Sequence, residues 1–595
     1  MTGFGKHPSP FKRSALLMVD HPKALNDSAV TRRSFISGSL GVAALSMSGS
    51  LSLQGQSPTQ TPKAPGSPSF LEILRVPDSV VAYAGLEHRV PLSRTDTTWQ
   101  ASGVEVAFEL RDGEMPIHIS APGLEPTHVH LRWSMGFAQP VLCLGDHWER
   151  SYGDLAWRGL MPERVMPWYF AMFDGTACHA YGVKTGAGTL CFWQLDAEGV
   201  SLWLNLCNGG GGVVLGNRQL LAATVVSRRG QAGEDPLSAV REFCKVMCAK
   251  PRLPSGPIYG SNDWYYAYGK NSAKQTLRDV DLMAELSAAN TVRPFAVIDD
   301  GWRGSPAFPD MGALAADIRH RKVRPGIWIR PLIADSNAQP SLLLNDARFG
   351  AKKERARELA YDPTIPDALA LAIAKVKEVV GWGFELVKHD FSTYDLLGKW
   401  GFEMGAEPTS SGWSLHDRSR TNAEVILDLY RAIRQAAGDA PLILGCNTVG
   451  HLGAGLFELQ RTGDDTSGEH WERTRKMGVN TLAFRLPQHN TFFVQDADCV
   501  GITKAIPWDL NRQWLDVLAR SGTALFISAS PDATGPLQKK AITDAFAIAS
   551  AGGLKASPQD WMESSSPERW KIGGASAEEM HFQWCGSEGA DPFAT

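Results

Sequence analysis

Carboxylates gather at four points in the second half of this 595-residue chain. Asp299 and Asp300 stand side by side, Asp390 lies two residues after Lys388, Asp464 and Asp465 follow Arg461, and Asp496 and Asp498 come next. Groups of this type do acid–base and nucleophilic work. Two carboxylates are the minimum for glycoside hydrolysis. In a retaining enzyme one attacks the anomeric carbon, while the other first donates and then removes a proton. The attacking carboxylate must be ionised. Lys388 and Asp390 point to the same side of a strand, because side chains alternate with period two. The ammonium therefore favours the ionised form of Asp390. The acid/base partner should be partly desolvated, so that its proton is available near neutral pH.

Taken singly, each group has a structural explanation. Asp299-Asp300-Gly301 reads as a loop turn, Lys388 and Asp390 as an ion pair, and Asp464-Asp465 as a helix N-cap. Position separates the two readings. Each group follows a short apolar segment, at the place where a parallel strand would end. Like charges crowded around one mouth repel and cost stability, and such clusters are usually kept for function.

The elements that must position these groups begin after Pro251. Pro257 to Gly260, Pro294 to Ile298, Arg324 to Arg330, Phe384 to Val387, Leu442 to Gly445, Phe457 to Gln460 and Thr523 to Ile527 read as strands. Helices alternate with them. One starts at Ser272, with Gln275 as capping-box partner. Another runs from about Pro366 to Val380. A third is capped by Thr421 and Glu424, repeats Val425, Leu429 and Ile433 on one face, and stops at Gly438. This rhythm over residues 251–550 predicts an α/β (β/α)8 TIM barrel, with catalytic groups at the C-terminal ends of its strands. A doubly wound open sheet is the rival, weakened by the lack of a GxGxxG turn after the first strand.

Residues 70–250 read as an antiparallel β-sandwich domain. Val104, Val106, Phe108 and Leu110 alternate with Glu105, Ala107 and Glu109, and Ser201 to Cys207 and Leu221 to Ser227 look similar. A helix is expected only from about Pro236 to Ala249. Residues 551–595 form a short C-terminal stub with room for a few strands, too small for a core of its own.

Bulk properties narrow the function. The formal net charge is −4, with acidic and basic residues mixed, which argues against a nucleic-acid partner. The 19 tryptophans suit the apolar faces of sugar rings as well as a core. The nine cysteines form no paired clusters of the zinc-binding kind, and an odd number leaves at least one free thiol. Cys244 and Cys248 suggest one buried helix face. No metal cluster and no cofactor motif stands out. Near the N-terminus, Thr31-Arg32-Arg33-Ser34-Phe35-Ile36 resembles a twin-arginine export motif. The apolar run Leu40 to Met47 that follows is too short to span a bilayer. Residues 1–55 therefore read as a removable signal segment and 56–69 as a flexible linker. The expectation is a periplasmic or extracellular protein with no membrane span in its mature form.

Several motifs in order resemble the melibiase-type α-galactosidases of glycoside hydrolase family 36, clan D, over about Pro257 to Ser530. They are Val297-Ile298-Asp299-Asp300-Gly301-Trp302, Gly326-Ile327-Trp328, Val387-Lys388-His389-Asp390-Phe391, Leu444-Gly445-Cys446, Arg461-Thr462-Gly463-Asp464-Asp465-Thr466 and Asp496-Ala497-Asp498-Cys499. The resemblance implies a retaining exo-glycosidase that releases terminal α-galactosyl residues from a carbohydrate substrate and needs no cofactor. It makes Asp390 the nucleophile and Asp465, four residues after Arg461, the acid/base, with Asp464 as rival. Lys388, Asp299 and Asp300 would bind the galactose hydroxyls, including the axial O4. Cys446 would lie near the C2 substituent, and Trp264 and Tyr265 would form an aromatic wall. Trp302 and Trp328 would shape or support the pocket.

The sequence also departs from that pattern. Arg330 stands where the large-form enzymes carry Glu, and the C-terminal β-domain is reduced to a stub. Related proteins act on α-N-acetylgalactosamine or β-L-arabinopyranose, or transfer galactose to another sugar. The Cys446-Asn447 loop bears on that choice. A non-catalytic carbohydrate-binding protein on the same fold is a further alternative, and the oligomeric state is open.

Overall fold

The computed structural model describes residues 70–593, apart from 138–139, 353–357 and 574–576. The export motif, its apolar run and the linker lie outside these residues.

Residues 79–228 build two antiparallel sheets, one of six strands and one of eight. Alternation is visible in Val104–Phe108, where Val104, Val106 and Phe108 are buried and Glu105 and Ala107 are half-buried. The strand stops at Phe108, and Leu110, expected to continue the buried set, is exposed. Aromatic rings of the two sheets meet: Phe170 of the larger sheet lies 5.6 Å from Trp193 of the smaller. A helix over Pro236–Met247 follows, with Asp235 capping its N-terminus through Ser238 N. Cys244 and Cys248 are buried at its end, and all nine cysteines are free thiols.

The rest of the chain is dominated by a nine-stranded parallel sheet. Its strands are β1 (Tyr259–Asn262), β2 (Phe295–Ile298), β3 (Arg324–Ile329), β4 (Leu386–His389), β5 (Leu442–Gly445), β6 (Leu459–Arg461), β7 (Val494–Asp496), β8 (Val500–Ile502) and β9 (Leu525–Ala529). They lie in the order β7-β6-β5-β4-β3-β2-β1-β9-β8. Asp496, at the end of β7, forms a parallel bridge with Ala524, just before β9, and Ala524 N donates to Gln495 O at 2.9 Å. The β7 edge thus touches the chain entering β9. Residues 497–499 separate β7 from β8, and Asp498 sits there at φ 78°.

The strands are short and almost wholly buried, as parallel strands covered on both faces should be. Helices fill the crossovers, including Ala273–Leu286, Met311–His320, Pro366–Gly381, Asn422–Ala437 and Trp508–Ser521. Ser272 accepts from Gln275 N, and Thr421 with Glu424 forms a capping box, each where the sequence places it. The link from β5 to β6 holds only a short turn of helix, Gly450–Gly453.

One face of the sheet carries its own apolar cluster, which includes Phe295, Val297, Leu386, Leu442, Leu444, Leu459, Val494 and Phe526. This cluster aims the site. Side chains two apart share a face, so Val297 leads to Asp299, Leu386 to Lys388 and Asp390, Leu444 to Cys446, and Leu459 to Arg461. The polar groups continue the apolar column at the C-terminal ends of β2, β4, β5 and β6.

The C-terminal residues form a three-stranded antiparallel sheet from Ser557–Pro558, Arg569–Ile572 and Glu578–His581. Trp570 and Trp584 are fully buried there, each donating its indole N–H to Pro567 O. Trp471, from the segment after β6, donates to Trp584 O at 2.7 Å. No helix among the described residues is long and apolar enough to cross a membrane.

Candidate active site

Asp390 follows β4 directly, and its backbone N donates to Ile329 O of β3 at 3.0 Å. Its carboxylate is held by three donors. Oδ1 accepts from Phe391 N and from Asn447 Nδ2, both at 2.7 Å, and Oδ2 accepts from Trp328 Nε1 at 2.8 Å. Two of those residues are left-handed: Phe391 at φ 67° and Asn447 at φ 47°. Asn adopts this conformation readily, whereas a bulky residue pays about 1–2 kcal/mol for it. Tyr268 (φ 44°) and Asp498 (φ 78°) add to the set on neighbouring loops. Such strained positions are often kept where they aim functional groups.

The ion pair that Lys388 forms is with Asp299, not Asp390: its ammonium binds Asp299 Oδ2 at 2.7 Å, while its charge still acts on Asp390. Residues two apart on a strand share a face, but a lysine stem is long enough to reach past β3 to the end of β2. Asp299 also accepts from Asn262 Nδ2 at 2.6 Å, and from Asp300 N at 2.8 Å through its other oxygen. Behind them, Asp299 N donates to Asp263 Oδ1 at 2.8 Å. Burial pushes Asp263 up to about 7. Burial also pushes Asp300 up to about 6, and Asp299 and Asp390 add to the effect. Gly301 must be glycine: at φ 111°, a Cβ would lie 2.6 Å from Gly269 O. For Lys388, burial favours the neutral amine, but Asp299, Cys446 and Asp390 outweigh it and keep the ammonium charged.

Asp464 and Asp465 differ. Asp464 uses both oxygens: Oδ1 lies 3.0 Å from Arg150 Nη2, and Oδ2 2.6 Å from Arg473 Nη2. Asp465 takes Arg461 Nη2 at 3.1 Å and Arg150 Nη1 at 3.2 Å, both on Oδ1. Oδ2 has no hydrogen-bond partner among the described residues, and the Asp465 side chain is 27% exposed against 11% for Asp464. Burial alone would raise the pKa of Asp465. The guanidiniums of Arg461, Arg150 and Arg473 and the Lys388 ammonium outweigh burial and hold the carboxyl far below the usual carboxylate range. A partly desolvated acid that keeps its proton near neutral pH was expected here. The structure instead surrounds this group with cations, which favour the charged form.

The remaining groups close the site. Asp498 accepts from Arg461 Nη2 at 2.9 Å, from Thr466 N at 2.8 Å and from the Tyr265 hydroxyl. It thereby ties the segment after β6 to the turn after β1. Burial pushes Asp496 up to about 6, against the pull of Arg461. Cys446 is buried, with burial and Asp390 both raising its thiol pKa, against Arg461 and Lys388. Trp264 is buried edge-on to Tyr268, their ring centres 5.7 Å apart. Trp302 is buried and donates to Trp328 O at 2.9 Å, so it braces Trp328 from behind. Arg330 pairs with Asp395 at 2.5 Å and Glu358 at 2.7 Å, which neutralises its charge locally. A cleft opens beside Tyr265, lined among others by Tyr268, Lys270, Glu469, Lys504 and Asp532.

Direct contacts join Lys388 to Asp299, Trp328 to Asp390, Arg461 to Asp465 and Tyr265 to Asp498. Lys388 acts electrostatically on both Asp390 and Asp465. Sequence reasoning missed Arg150, Asp263 and the hydrogen-bonding role of Asn447. Arg150 lies 315 residues from Asp465, in Trp148-Glu149-Arg150-Ser151 of the β-rich region, with no strand-end pattern to mark it. Among the described residues, no group of three or more His, Cys, Asp or Glu is arranged to hold a metal ion.

No protein-family model matches the sequence. Solved structures do. The α-galactosidase of Thermus thermophilus, in complex with p-nitrophenyl α-D-galactopyranoside, matches with a TM-score of 0.54 at 17% identity, over 84% of this chain and 99% of that one. The glycoside hydrolase family 36 α-galactosidase AgaA of Geobacillus stearothermophilus matches with a TM-score of 0.52 at 12% identity, over 79% of this chain and 71% of that one. The galactosidase domain of the α-galactosidase–sucrose kinase AgaSK gives 0.54 at 13% identity, over 82% and 73%. The chain has the fold of these α-galactosidases.

Proposed function

We propose that the chain is a retaining, exo-acting glycoside hydrolase of family 36 that cleaves terminal α-galactosyl residues by double displacement. The observation that carries this reading is the pair of carboxylates in one site: Asp390 held by three donors, and Asp465 with one oxygen bound to cations and the other open. The shared fold supports it, and so does the galactoside bound to the Thermus enzyme. Neighbours in complex with stachyose or raffinose support an oligosaccharide as substrate.

In the first step an oxygen of Asp390 attacks C1, and Asp465 Oδ2 gives its proton to the departing oxygen. In the second, Asp465 takes a proton from water as that water displaces Asp390 from C1. The free oxygen favours Asp465 over Asp464, whose two oxygens are both paired. Asp299 and Lys388, bound to each other, supply acceptor and donor for the sugar hydroxyls. A sugar without the axial hydroxyl would leave part of this buried pair unsatisfied, and such mismatches discriminate strongly. Trp264 and Tyr265 form the wall of the sugar pocket, and Cys446 faces C2.

We read the parallel sheet as an eight-position (β/α)8 barrel in which β7 and β8 share one position; the Asp496–Ala524 bridge supports this. The domain reading is 70–250, 251–550 and 551–595, and the twin-arginine motif supports export. The test is direct. Purified protein is mixed with p-nitrophenyl α-galactoside and the first-formed sugar is followed by NMR. The reading predicts α-galactose first. First-formed β-galactose, or no hydrolysis, would overturn it.

A further inference from the structure

We propose that Arg150, contributed by the antiparallel β region, is a positioning residue for Asp465. The inference rests on the reading of Asp465 as acid/base. Backbone hydrogen bonds fix its place. Ser151 N donates to Thr462 O, and Asp464 N donates to Ser151 O, both at 2.8 Å. Ser151 thereby forms a parallel bridge with Gly463, in the segment leaving β6. Arg485 anchors the same loop through Glu149 O and an ion pair of 2.7 Å with Asp146. The Arg150 side chain, 4% exposed, then divides its fork: Nη1 to Asp465 Oδ1 and Nη2 to Asp464 Oδ1.

That division has a consequence. Two adjacent carboxylates repel, and one planar guanidinium between them sets their separation as well as compensating their charge. Arg461 takes the same Asp465 oxygen from the barrel side, so the two arginines clamp Oδ1 and leave Oδ2 as the only oxygen free to meet the leaving group. A group that is acid in one step and base in the next must hold its place in both charge states. The groups facing Asp465 come from four elements besides the Arg150 loop: Arg461 of β6, Arg473 of the following helix, Lys388 of β4, and Tyr265 and Tyr268 of the turn after β1. Glu149 and Asp464 face Arg150 itself. Loss of Arg150 removes one cation from this set and frees the carboxylate to rotate.

The test compares Arg150→Ala and Arg150→Lys with wild type on two substrates. p-Nitrophenyl α-galactoside has a good leaving group, and methyl α-galactoside needs a proton on its leaving oxygen. Arg150→Ala should lose kcat on the methyl glycoside at least roughly tenfold more than on the nitrophenyl glycoside, with little change in KM. The basic limb of its pH profile should move to higher pH, because a cation beside Asp465 is gone. Added guanidinium should restore part of the loss. Arg150→Lys keeps the charge without the fork; it should show the leaving-group discrimination with a smaller pH shift, and it carries the comparison if the alanine variant does not fold. Equal losses on both substrates with an unmoved pH profile would overturn the inference while leaving the reading of the site intact. A wild type inactive on both would overturn the reading and the inference with it.

Discussion

The indole nitrogen of Trp328 donates to Oδ2 of Asp390 across 2.8 Å, and Trp302 braces Trp328 from behind through its carbonyl. A hydrogen bond to a charged group contributes about 1.5–3 kcal/mol. Trp328→Phe keeps the ring and removes the donor. It should lower kcat by roughly 10- to 100-fold, with the melting temperature little changed. Steady-state kinetics on p-nitrophenyl α-galactoside checks this, and unchanged kcat would show that the bond does not serve Asp390.

The cations around Asp465 set the pH dependence. Its carboxyl is held far below the usual range, so the ionised form dominates in the free protein. That form suits the second step, whereas the first needs the protonated fraction, which shrinks as pH rises. Activity on a substrate with a poor leaving group should therefore be best on the acid side of neutral and fall as pH increases. A kcat/KM profile for methyl α-galactoside that stays flat or rises into alkaline pH would contradict this.

Asp263 makes folding stability depend on pH in a defined direction. Its folded pKa is about 7, above the ordinary aspartate value of 3.8. Between those values the native state binds more protons than the unfolded one, so stability falls as pH rises. The slope reaches ~1.4 kcal/mol per pH unit for one such group. Asn271 Oδ1, buried beside it without a partner, can receive the proton of a neutral Asp263 once the amide is turned. Asp263→Asn should fold and should lessen the loss of stability between about pH 4 and pH 7. Denaturant unfolding at both ends of that window measures it. A variant with the same slope as wild type would assign the dependence elsewhere, for instance to Asp300 and Asp496, whose pKa values are also raised.

The C-terminal sheet is held by its tryptophans. Trp584 is fully buried, and Trp471 donates to its carbonyl. Trp584→Ala should cost about 3–5 kcal/mol while leaving kcat nearly unchanged at low temperature. A loss under about 1 kcal/mol would mean that the site collapses easily around the cavity.

How far the sequence carries can be followed residue by residue. Strand ends were legible because apolar residues and carboxylates follow one period-two column: Val297 to Asp299, Leu386 to Lys388 to Asp390. Helix starts were legible from their caps at Ser272 and Thr421. Contacts between distant segments were not. Lys388 looked like the partner of Asp390 because sequence shows only neighbours, yet its stem reaches Asp299 at the end of β2, two strands away. The acidity of Asp465 depends on Arg150 and Arg473, which no local pattern joins to it. Leu110 continued an alternation on paper, but the strand turns to solvent before reaching it.

Azide rescue tests the central claim most directly. Asp390→Ala is incubated with p-nitrophenyl α-galactoside and sodium azide, and the product is identified by NMR. The account predicts that turnover without azide falls by about 10⁴-fold or more. It also predicts that azide, entering the face that Asp390 vacates, restores release of nitrophenol and yields β-galactosyl azide. An α-galactosyl azide, or wild-type-like hydrolysis without azide, would contradict the assignment of Asp390 as the nucleophile.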